Sequence, residues 1–93
     1  MYYQYCEIGH KDGNICVAHT PVNNEGFVSV NFEQPDAVYG FKTLDCVIPS
    51  YRVFNVVGFS QEEVSSLINF CVNNSAIILS AATKGGIANA DYL

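Results

Sequence analysis

Val64, Leu67, Ile68, Cys71 and Val72 fall at i, i+3, i+4, i+7 and i+8, a spacing that lines them along one side of an α-helix. Directly before them stands Ser60-Gln61-Glu62-Glu63. Serine followed three residues later by glutamate is a capping box. Its hydroxyl accepts from the glutamate's backbone N–H, and the glutamate carboxylate accepts from the serine's. Glu62 and Glu63 also suit the positive end of a helix dipole. Nothing before residue 60 shows this period. The chain therefore has its helical material at the C-terminal end, and that apolar stripe must be buried on something else.

That something reads as strands. Residues 2–8 and 15–20 are β-rich runs joined through Asp12-Gly13, a hairpin signal because both residues tolerate positive φ. Residues 21–26 form a loop rich in turn formers. Over 27–32 the residues Val28, Val30 and Phe32 alternate with Phe27, Ser29 and Asn31, which turns the valines and Phe32 toward a core. Gln34-Pro35-Asp36 should end that strand, since proline cannot donate to a ladder. Two further strands are expected over 38–47 and 51–57, with a bend at Pro49-Ser50 and a bulge at Gly40. Lys42, Arg52 and Asn55 should point outward or reach a polar partner.

Ser75, Ile78, Leu79 and Ala82 continue the helical stripe, and Lys84-Gly85-Gly86 has the character of a helix stop. Asn73-Asn74-Ser75 leaves two alternatives open. It could divide the segment into two consecutive helices, or it could precede a buried strand over 76–82. Helix is the favoured reading. The tail at 87–93 should be loosely held. The fold class expected is α+β: an antiparallel sheet of four to five strands with the C-terminal helix, in one piece or two, packed on one face.

Composition bounds what such a fold can do. With 93 residues, 49% of them hydrophobic and 14% charged, the chain should form a single domain over 1–93 with its own core. Four Lys and Arg stand against nine Asp and Glu, a net charge of −5. The cations Lys11, Lys42, Arg52 and Lys84 are dispersed. Binding phosphates draws on clustered cations, so direct nucleic-acid binding and an anionic membrane surface are both disfavoured. No apolar run nears the roughly 20 residues of a bilayer span. The N-terminus lacks the basic start and apolar stretch of a secretory signal, so the reading is a cytoplasmic protein with reduced cysteines.

Two constellations could carry chemistry. Cys6, His10, Cys16 and His19 have the ligand types of a tetrahedral zinc site. Strand geometry opposes it, because Cys16 and His19 are an odd number of residues apart and should point to opposite faces. A cysteine–histidine nucleophile pair lacks the electropositive setting that activates a thiol. Carboxylate pairs reduce to Glu62 and Glu63, whose capping role already explains them. The second constellation is aromatic. Tyr2, Tyr3 and Tyr5 crowd the first strand, with Tyr39 and Tyr51 farther on. Tyrosine is enriched at protein interfaces, and sheet packing favours it equally.

The functional expectation is a small non-enzymatic protein-binding module, an inhibitor or adaptor without a cofactor. It would use Tyr2, Tyr3, Tyr5, Tyr39 and Tyr51 on another protein, and a basic nucleic-acid-handling protein would suit the negative field. The alternatives are a metal- or small-ligand-binding domain built on Cys6, His10, Cys16 and His19, and an oligomerising structural subunit such as a homodimer.

Overall fold

A computed structural model of the chain describes residues 1–85, so the expectation for the tail at 87–93 lies outside them. Six elements follow one another: β1 (Tyr3–Ile8), β2 (Ile15–His19), β3 (Val28–Asp36), β4 (Gly40–Ile48), β5 (Arg52–Val57) and α1 (Gln61–Thr83). Each strand pairs antiparallel with its chain neighbours, giving a five-stranded sheet in the order β1-β2-β3-β4-β5. α1 packs across one face, against β3 and β4. This is the α+β arrangement expected from the sequence.

Register explains which residues form the core. Val17, Phe32 and Leu44 lie in one cross-strand row, and His19, Val30 and Cys46 in the next. All six are completely buried. Val28 and Ile48 extend the layer, and α1 meets it with Leu67, Cys71, Ile78 and Ala82. Phe70 of α1 stands edge-on to Phe32 with ring centroids 5.8 Å apart. Each large side chain so buried contributes about 1.5–3 kcal/mol.

The capping box forms as the sequence implies. Glu63 N–H donates to Ser60 Oγ at 3.2 Å, and Ser60 N–H donates to Glu63 Oε1 at 2.8 Å. α1 then runs for 23 residues without a break, so 76–82 is helix and Asn73-Asn74-Ser75 divides nothing. Asn74 survives mid-helix because it is fully employed. Its Oδ1 accepts from the Tyr5 hydroxyl at 3.0 Å, and its Nδ2 donates to Phe70 O at 2.8 Å. The helix ends at Lys84, after which Gly85 takes the left-handed φ of +86°.

Several expectations are corrected. Val72 is 47% exposed rather than in the core. The helix rests on the narrower line Leu67, Cys71, Ile78 and Ala82, and Val72 falls about a quarter-turn past Cys71. β3 continues through Pro35 to Asp36. The proline lies past Glu33, the last β3 residue paired to β2, where the strand has one neighbour and a missing donor is tolerated. Ala37, Val38 and Tyr39 form a turn instead of a strand. Asp36 Oδ2 accepts from the Val38 and Tyr39 N–H groups, and Gly40 opens β4 at φ +79°. Tyr51, at φ +61°, belongs to the β4–β5 turn after a cis Ile48–Pro49 bond. α1 also has the length and mean hydropathy (1.4 over its best window) to cross a membrane. Its three asparagines interrupt the apolar run but leave the average high enough for a span.

Candidate functional site: the uncovered sheet face

Because side chains alternate along a strand, the residues between the core positions face away from α1. The register arranges them in rows. Glu7, Cys16, Glu33, Thr43 and Val57 form one, and Gln4, Ala18, Asn31, Asp45 and Phe54 the next. Ser29, Val47 and Arg52 lie on one side of these rows, and Pro35 and Phe41 on the other. No described element covers this face. Its β1–β3 half is polar, with Glu7, Cys16 and Glu33 exposed side by side. Its β4–β5 half is apolar, with Phe41, Phe54 and Val57 each at least 42% exposed.

The two halves meet at Asp45. This carboxylate is 7% exposed although the face is open. Asn31 Nδ2 donates to Oδ1 at 2.8 Å and to Thr43 Oγ1 at 3.4 Å, while Asn55 Nδ2 donates to Oδ2 at 3.0 Å. Asn55 can reach because it sits at φ +54° in a bulge, where β5 slips against β4 between Thr43 and Asp45. Asparagine takes that left-handed conformation more readily than most residues. At the end of the face the β2–β3 loop and the β4–β5 turn frame a hollow of about 450 Å³. Phe27, Val47, Phe54 and Arg52 are among its lining residues.

Both edges of the sheet carry a bulge, the other one in β1 between Gln4 and Cys6. Bulges disturb the ladder that an incoming strand would extend. Both edges are thus poorly suited to strand addition.

The structure distributes the sequence-derived candidates. Tyr2 and Tyr39 are exposed, the first beside β1 and the second in the β3–β4 turn. Tyr3 and Tyr5 are half-buried on the helix side, where their rings pack on His19 at 5.7 and 6.3 Å between centroids. Tyr51 lies at the opposite end of the sheet from Tyr39, packed against the core. The five do not form one patch. Nor do Cys6, His10, Cys16 and His19 converge. Cys6 and His19 face α1, Cys16 faces away, and His10 lies in the β1–β2 turn with its Nδ1 accepting from Asp12 N–H at 3.0 Å. Among the described residues no group of three or more His, Cys, Asp or Glu is placed to hold a metal ion.

His19 is completely buried. A carbonyl only accepts, so Nδ1 donates to Thr20 O at 2.9 Å, and the buried Nε2 has no hydrogen-bond partner among the described residues. In the core the free Cys71 thiol donates a hydrogen bond to Cys46, and that hydrogen bond together with burial pushes the Cys71 thiol well above the ordinary thiol range. Burial raises the Cys6 thiol as well. Neither cysteine is poised as a nucleophile, which requires a stabilised thiolate. A second hollow of about 410 Å³ lies between the first hairpin and the start of α1. Ile15, Phe59 and Leu67 floor it and are already nearly buried.

The residues that sequence reasoning missed are Asp45, Asn31, Phe41, Phe54 and Val57. The signal was present in β4, where Phe41, Thr43, Asp45 and Val47 alternate with Lys42, Leu44, Cys46 and Ile48. No protein family, curated protein or solved structure matches this chain.

Proposed function

We propose that this protein is a non-enzymatic binding module that docks on another protein through the uncovered face of its sheet, as an inhibitor or adaptor does. One observation carries the reading. A face that no element among the described residues covers presents Phe41, Phe54 and Val57 around a polar centre held by three hydrogen bonds. Interfaces of this kind combine apolar anchors with a few fixed polar groups. The blunted edges favour a face-to-face mode over strand addition. Four free cysteines suit a reducing compartment, in keeping with a cytoplasmic site of action.

Affinity capture with a matched pair of variants tests this. Phe54→Lys places a charge within the face, and Val72→Lys places the same charge on the exposed side of α1. The expected outcome is a stoichiometric partner held by the parent and by Val72→Lys and lost by Phe54→Lys. Equal retention by both variants, or a monomeric protein that holds no partner, contradicts the reading.

A further inference from the structure

We infer that the Asp45 centre is a receptor for an arginine side chain presented, among apolar residues, by the partner protein. The inference rests on the face being the docking surface and adds the chemistry of what docks there.

The donors and acceptors of the centre define what it can bind. A carboxylate is acceptor-only, so it fixes the orientation of any amide beside it. Asn31 turns both of its N–H bonds inward, one to Asp45 and one to Thr43, and Asn55 turns its Nδ2 to Asp45. What remains for a visitor is the set of lone pairs on Asp45, Asn31 Oδ1 and Asn55 Oδ1. These acceptor groups belong to three adjacent strands, β3, β4 and β5, with the Asp45 carboxylate between the two asparagines. A complementary group must be rich in donors, planar enough to span neighbouring oxygens, and cationic. Guanidinium meets all three conditions with five N–H donors in a fixed fork, whereas ammonium is a compact point charge that stays strongly hydrated.

The surroundings agree. Among the described residues Glu7, Glu33 and Asp45 stand on this face against one cation, Arg52, so its field is negative. Phe54 is the cross-strand neighbour of Asp45. Its exposed ring lies where the stem of a docked arginine would run, and arginine stacks on aromatic rings. Apolar neighbours that exclude water around a desolvated charged contact are the usual setting of an interface hot spot.

The test uses two acetylated tripeptide amides, leucine–arginine–phenylalanine and its citrulline counterpart, which keeps the shape and loses the charge. Each is titrated at millimolar concentration into the ¹⁵N-labelled protein at low and at physiological salt. The arginine peptide should shift the amides of Asn31, Asp45, Phe54 and Asn55 and bind about tenfold more tightly than the citrulline peptide. Added salt should weaken the first and leave the second unchanged. In Asp45→Asn the advantage of arginine should fall to about twofold or less, and the salt dependence serves alone if that variant does not fold. Equal affinity of the two peptides, or shifts confined to other surfaces, overturns the inference and leaves the docking face itself to the Phe54→Lys comparison. Silence from both peptides overturns it as well.

Discussion

Val30, Phe32, Leu44 and Cys46 on one side of the sheet are completely buried, while Asn31, Glu33, Thr43 and Val47, their neighbours in the chain, look the other way. The two faces share every strand and every backbone hydrogen bond. They differ only in what lies above them. On the helix side, apolar side chains from the sheet and from α1 remove one another from water. On the open side, polar groups hold Asp45 in place and aromatic rings stay wet. Since the hydrophobic contribution follows the area removed from water, stability belongs mainly to the first face and the second is free for other work.

Substitutions on either face probe this contrast. The largest effect is expected for Leu67→Asp on the helix side, which buries an unpaired charge and should cost about 3–5 kcal/mol, comparable to the stability of a small domain. Loss of the folded circular-dichroism signal would show it, and a parental melting curve would refute the packing of α1. Asp45→Ala on the open side should cost less, about 1–3 kcal/mol, because the amides of Asn31 and Asn55 lose their acceptor. Urea denaturation measures it. A loss near zero would mean that the centre is solvated rather than structural.

Gly58→Ala probes the corner between β5 and α1. Gly58 has φ +84°, and a Cβ there would come within 2.7 Å of the Lys42 side chain and 3.1 Å of Tyr39. About 1–2 kcal/mol should be lost in thermal unfolding. Ser60→Ala removes the helix cap and should cost about 1 kcal/mol. A pH signature accompanies it. The backbone hydrogen bond from Ser60 holds the Glu63 carboxyl below its ordinary 4.5, with help from the Ser60 side chain and Lys42. A depressed carboxyl stabilises the folded state above its unfolded pKa and loses that contribution as pH falls through the folded value. The parent should therefore lose stability below pH 4.5 more steeply than Glu63→Gln, in which position 63 cannot titrate. The smallest effect belongs to Val57→Thr on the open face, where stability should move by less than about 0.5 kcal/mol.

The fold was legible because its signals are local. The capping box at Ser60, the alternation of Val28, Val30 and Phe32, and the Asp12-Gly13 turn each act over a few residues. Pro35 and the Ala37–Tyr39 turn were misread because a proline's tolerance depends on whether a second strand lies beside it. The candidate site was almost invisible. Asn31, Asp45 and Asn55 belong to three strands, and their meeting depends on register and on the bulge that turns Asn55 toward the carboxylate. Tyr5 shows the opposite failure. It looked like an interface residue, yet its hydroxyl binds Asn74, distant in sequence, and its ring packs on Phe70.

Equilibrium denaturation of Phe32→Ala beside Phe54→Ala tests the division of labour most directly, since the same ring is removed from opposite faces of the sheet. Phe32→Ala should lose about 3–5 kcal/mol, and Phe54→Ala less than about 1 kcal/mol. Equal losses would contradict the account, because the open face would then be part of what holds the domain together.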